Sequence, residues 1–197
     1  CECVVVTLFY RRDFLFSIYT KYFTLSFSEM DIKWLVQQND SNLELAIKYL
    51  EETIFEDEHL TDNFLQVLKY LEIYSVKKNK LIGENDSPIK TPIELSLRNR
   101  MGILQRSEIV KELFYHKFSY EIRLDDTYEH YRIVFFVYNS IEDATATTAL
   151  TFGFTKNGTI NSDKTRQAAT ESDDICKKVC NGEENYWIGE EKLNEIY

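Results

Sequence analysis

Hydrophobic and polar positions follow two different periods along this chain, and the changes of period mark its elements. In the second half, Phe118-Ser-Tyr-Glu-Ile-Arg-Leu124 alternates, while Tyr131–Tyr138 and Thr148–Lys156 are dense in β-branched and aromatic residues. All three predict strands. Successive strand side chains point to opposite faces, so Glu121 and Arg123 share one face and Tyr120, Ile122 and Leu124 the other. The linkers 125–130 and 139–145 are short and polar, which predicts antiparallel hairpins.

Earlier in the chain the period lengthens. Leu43, Ile47, Leu50 and Ile54 recur at helical spacing, predicting a helix to about Glu56. Thr61 or Asp62 restarts a helix, whose stripe of Phe64, Leu68 and Leu71 runs to about Tyr74. The two segments predict an antiparallel helical hairpin. Before it, Tyr22–Phe27 alternates as a strand, and Ser28 caps a short helix from Glu29 to Gln38. Thr91-Pro92-x-Glu94 carries the cap, proline and acid of a helix start, predicting a short helix to about Arg100 and a further turn over 107–113. Ser162 or Asp163 caps a last helix reaching about Val179. The expected fold is therefore α+β: a small antiparallel or mixed sheet packed against an N-terminal helical hairpin and a C-terminal helix. Residues 1–20 read as an N-terminal extension, 21–180 as the domain, and 181–197 as a polar tail.

Composition narrows the function classes. The 197 residues are 44% hydrophobic, with only 6 Gly and 2 Pro, which favours a packed globule over flexible linkers. The formal charge is −10, divided as −4 over residues 1–100 and −6 over 101–197. Neither half is a basic domain, which argues against broad nucleic-acid binding and leaves room only for a local cationic patch. Cys1, Cys3, Cys176 and Cys180, with His59, His116 and His130, form no zinc-ligand spacing. Reduced thiols, no metal and no cofactor are expected. The apolar run Cys3–Tyr10 is too short to span a bilayer and is followed by Arg11-Arg12, the wrong side for an export signal. The expected location is cytoplasmic, away from membranes.

The order strand, two helices, antiparallel strands, helix carries three local signatures: Tyr120-Glu121-x-Arg123, Tyr131-Arg132-Ile133, and Leu150-Thr-Phe-Gly153-Phe154-Thr-Lys156. With Ala168, Ala169 and Asp173-Asp174 in the last helix, this resembles the RelE/ParE toxin superfamily, especially its phage-derived HigB-like branch. The chain departs from that branch after Lys156, where Asn157-Gly158-Thr159 stands in place of a second lysine and a Thr-Pro pair.

The resemblance implies a toxin of a type II toxin–antitoxin system: a metal-free, ribosome-dependent messenger RNA endoribonuclease that blocks translation. It implies as partners a cognate antitoxin, a helix-turn-helix protein, together with ribosome and message. Cleavage by the RNA 2′-hydroxyl needs a proton acceptor, a stabiliser of the pentavalent dianion and a proton donor. Arg123, Arg132 and Lys156 are the expected phosphate-binding cations, and His130 the expected proton-transfer group, with His116 a further histidine to weigh. Each has a plainer reading: an ion pair for Arg123 and Arg132, a solvated loop for Lys156, an inert loop histidine at 130. Lys77, Lys78, Lys80 and Lys117 are the expected RNA-backbone contacts; a solvated helix end is the plainer reading of the first three. Two other functions fit the same scaffold: a catalytically degenerate binding protein, and a ParE-like inhibitor of DNA gyrase.

Overall fold

The structure, a computed structural model, describes residues 30–35, 42–83, 86–126, 129–139, 146–156 and 162–182. Its elements in chain order are β1 (Met30–Trp34), α1 (Ala46–Tyr49, continuing as a π-helical turn over Leu50–Ile54), α2 (Glu58–Leu71), β2 (Ser75–Lys77), β3 (Lys80–Ile82), β4 (Ile93–Arg98), β5 (Leu104–Glu112), β6 (Tyr120–Asp125), β7 (His130–Asn139), β8 (Ala146–Lys156) and α3 (Ser162–Cys180). Six strands form one sheet in the order β1-β8-β7-β6-β5-β4. β4 to β8 pair antiparallel, and β1 joins the edge parallel to β8. The class is α+β.

Alternation along β6 decides which side each helix takes. Tyr120, Ile122 and Leu124 join Tyr131, Ile133, Phe135 and Val137 in one core, shared with α1 and α2 through Tyr49, Leu50, Ile54, Phe64, Val67 and Leu71. Val134, Phe136, Tyr138, Phe152 and Phe154 face the other way, onto Ala168, Ala169, Ile175 and Val179 of α3. β7 is covered on both sides, and so reads as an unbroken apolar run except at Arg132. Asp57 caps α2 by accepting from the Leu60 N–H at 3.1 Å.

Four expectations are corrected. The helix expected over Glu29–Gln38 is strand β1 over its described part, because Met30-Asp-Ile-Lys-Trp34 alternates and finds an open edge on β8. The helix expected after Pro92 is strand β4: Ile93, Leu95 and Leu97 have period two and pair with β5, which overrides the local cap signal. The turn expected over 107–113 is the end of β5. Lys77–Lys80 is no helix terminus but the tight turn of the β2–β3 hairpin, with Lys78 and Asn79 both at positive φ. The expected strand Tyr22–Phe27, residues 1–20 and residues 183–197 lie outside the described residues. No described helix is long and apolar enough to cross a membrane.

Two tyrosines tie α1 and the β2–β3 hairpin to the main sheet. The Tyr49 ring lies over Gly153 of β8, and its hydroxyl is 2.9 Å from Thr155 Oγ1. The Tyr120 hydroxyl accepts from the Leu81 N–H at 3.2 Å, and burial pushes its pKa up to about 12. The neutral phenol is the form the fold favours. Above the unfolded value of 10.0, the unfolded chain therefore loses this proton first, and stability falls between about pH 10 and pH 12. The expected slope is about 1.4 kcal/mol per pH unit for this one group. Urea midpoints at pH 9, 10.5 and 11.5 should show the loss, and Tyr120→Phe should remove one proton's share of it.

Candidate functional site

The site grows from the alternation of β6. Glu121, Arg123 and Asp125 occupy every second position, so all three project to the face opposite the helical layer. Strand register then sets their neighbours. Asp125 stands opposite His130, and His130 opposite Lys156. Arg123 stands opposite Arg132, and Arg132 opposite Phe154. Directly paired residues in adjacent strands share a face with their Cβ atoms about 5 Å apart. The result is a row of carboxylate, imidazole and ammonium beside a row of two guanidiniums. α3 packs on this same face against Val134, Phe136, Phe152 and Phe154.

Glu121 is the organiser. It is only 3% exposed, and three cations converge on its carboxylate: Lys156 Nζ at 3.3 Å, Arg132 Nε at 3.4 Å and Arg123 Nε at 3.7 Å. Its hydrogen bond comes from Lys156. A buried carboxylate so placed lets three like charges sit close together, which would otherwise repel strongly at low effective dielectric. Arg132 is equally buried and also donates from Nη1 to Asp125 Oδ1 at 2.6 Å. That same oxygen is 2.9 Å from Nδ1 of His130. Arg123 reaches outward to Glu108 on β5.

Burial and charge act against each other here. Burial pushes the Asp125 carboxyl upward, but the Arg132 charge and the hydrogen bonds from Arg132 and His130 outweigh it and hold it below the usual aspartate range. Burial pushes the Lys156 ammonium below the usual lysine range, against the pull of Glu121 and with help from Arg132 and Arg123. Lys156 also lies 5.8 Å from the centroid of the Phe154 ring.

Of the residues expected from sequence, Arg123, Arg132, His130 and Lys156 come together in this cluster. The lysines expected to hold RNA lie elsewhere. Lys77, Lys78 and Lys80 sit on the β2–β3 hairpin, which contacts the Tyr120 end of β6, away from Asp125. Lys77 pairs with Asp86 and Lys80 with Glu112. Lys117 lies in the β5–β6 loop over the Phe118 ring. His116 is in that same loop, with its N–H bonded to the Leu113 carbonyl. Tyr120 and Tyr131 are core residues. Cys176 and Cys180 are free thiols on α3.

Two members of the cluster were not anticipated. Glu121 reads from sequence as a partner of Arg123, not as a buried centre for three cations. Asp125 reads as the first linker residue, not as the acid that orients His130. The i, i+2, i+4 series of Glu121, Arg123 and Asp125 was the signal that could have found both. Among the described residues, no three His, Cys, Asp or Glu side chains gather as a metal-holding group. Comparison with protein-family models, with curated proteins and with solved structures found no match to the chain.

Proposed function

We propose that this chain is a RelE-like toxin: an endoribonuclease that works without a metal, cuts messenger RNA on the ribosome and is held in check by a cognate antitoxin. The observation that supports it best is the row Asp125–His130–Lys156 laid beside Arg123. Asp125 binds Nδ1 of His130, which fixes the ring and aims Nε2 away from the carboxylate. His130 takes the proton of the 2′-hydroxyl as that oxygen forms its bond to phosphorus. Arg123 exchanges Glu108 for the phosphate and steadies the dianion with its guanidinium fork. Lys156 gives its proton to the departing 5′-oxygen as the P–O5′ bond breaks. An ammonium made more acidic by burial suits that last step. Glu121 and Arg132 position these groups.

The products are a 2′,3′-cyclic phosphate and a free 5′-hydroxyl. Purified chain added to a reconstituted translation system should give message fragments with these ends, and expression should arrest growth. Arg123→Ala with Lys156→Ala should slow cleavage by about 10²–10⁴-fold, the usual worth of acid–base and charge-stabilising groups. Intact messages with the unsubstituted chain would overturn the reading.

A second reading has its own support. Arg123, Arg132 and Lys156 are matched by Glu108, Glu121 and Asp125, so the cluster is formally neutral with His130 uncharged. Such a network also suits a degenerate relative that binds a protein partner and leaves RNA alone. It predicts a tight antitoxin-type complex with no message cleavage.

A further inference from the structure

We infer that Phe114 and Tyr115, at the tip of the β5–β6 loop, form a base-stacking platform that receives single-stranded RNA leaving the cluster, with Lys111 bridging the two. The occupant rests on the nuclease reading above; the platform itself rests on separate observations. The two rings are 83% and 101% exposed, whereas the other described aromatics on this face pack beneath α3. They lie edge to face, with centroids 6.1 Å apart.

The loop that carries them is tied down. Asp173 of α3, itself buried, accepts from the Lys117 N–H at 2.7 Å, the Phe118 N–H at 3.1 Å and the Ser119 hydroxyl at 2.6 Å. The Leu113 N–H donates to the Ser119 carbonyl at 3.1 Å, closing the loop's base. Tyr115 has φ of 71°, a conformation that is uncommon for a bulky residue and is kept only where the surroundings hold it. A loop so firmly anchored, yet presenting two bare rings, loses little entropy when something stacks on them.

The platform lies beyond the Glu121 end of the cluster, at the opposite end of β6 from Asp125 and His130. Leu113 and Phe118, at the two ends of the loop, pack in the α3-side core, so the tip emerges on the same side of the sheet as Glu121. Lys111 stands opposite Glu121 in the register, is exposed and has no acidic partner among the described residues. Phe114 is three residues further on, at most about 11 Å along the chain. Charge selects the occupant. Lys111 and Lys117 flank the rings, and aromatic faces beside cations suit unpaired bases and their phosphates, since every base offers a π-face.

The test uses the full chain and a fluorescein-labelled twelve-nucleotide 2′-O-methyl oligouridine, which lacks the attacking hydroxyl, so binding is read without cleavage. Phe114→Ala with Tyr115→Ala should weaken binding about tenfold or more. Tyr115→Phe should bind like the unsubstituted chain. Lys111→Ala should lower the log–log salt slope by about 0.7. Met101→Ala, an equally exposed apolar residue on the β4–β5 turn, should leave affinity unchanged. Binding of the oligonucleotide with no cleavage of any message would support the platform while removing the nuclease. Unchanged affinity of the double alanine variant would overturn the platform, as would equal binding of duplex RNA. Message cleavage with no oligouridine binding would also overturn it and would assign the rings to a protein partner.

Discussion

Glu121→Gln is expected to cost about 3–5 kcal/mol of stability and, on the nuclease reading proposed above, to abolish most RNA cleavage, because one buried carboxylate holds three cations together. Removing one partner of a buried ion pair leaves an uncompensated charge, which is the costly case. Here Arg132 is as buried as Glu121 itself, so its guanidinium cannot turn to water. At about 2–4 °C per kcal/mol for a chain of this size, the melting midpoint should fall by roughly 6–20 °C. Lys156→Met separates the charge effect from loss of shape. Burial already disfavours the Lys156 charge, so removing it should be mild alone and should recover part of the Glu121→Gln loss. A double-mutant cycle in urea should give a coupling of about 1–3 kcal/mol. Additive losses would mean that Glu121 does not bind these cations as a unit. Cleavage should be read below the variant's melting transition; if it persists there, Arg123, His130 and Lys156 do not need Glu121 to hold their places.

Gly153→Ala is expected to destabilise the fold by about 3 kcal/mol or more, at the upper end for an overpacked core position. A Cβ at Gly153 would lie 2.2 Å from Cδ1, 2.4 Å from Cγ and 2.5 Å from Cβ of Tyr49. These distances are far inside van der Waals contact. The Tyr49 ring is 2% exposed, and its hydroxyl is engaged with Thr155, so it cannot swing aside without losing both its packing and that bond. The backbone is pinned as well, since the Gly153 N–H donates to the Glu44 carbonyl at 3.0 Å. Thermal melts should show the loss. Tyr49→Ala in the same chain should relieve the clash, making the double variant less damaged than the sum of the singles. A normal melting temperature for Gly153→Ala would mean that Tyr49 does not lie on β8 as described.

Much of the architecture was legible. The alternation of Phe118–Leu124 placed Glu121 and Arg123 together and Tyr120, Ile122 and Leu124 together, as the two cores have them. The apolar spacing from Leu43 to Leu71 gave two helices, although α2 begins at Glu58, capped by Asp57, earlier than Thr61 or Asp62. Ile93–Arg98 was misread because Thr91-Pro92-x-Glu94 is a local helix signal, and local signals yield when a neighbouring strand offers ladder bonds. The lysines at 77, 78 and 80 looked like a helix end for the same reason: nothing local to them reveals that a hairpin follows.

Sequence alone determined the period of each segment, and with it which side chains share a face, because backbone geometry ties alternation and helical spacing to direction in space. It also determined that acids outnumber bases, 33 to 23, so that any cationic patch must be a local one. Only the tertiary structure decided that Glu121 is the buried centre for Arg123, Arg132 and Lys156, and that Asp125 orients His130. Those contacts join strands up to 35 residues apart. Register between strands is set by the packing of the whole sheet between its two helical layers, a property that no single segment carries.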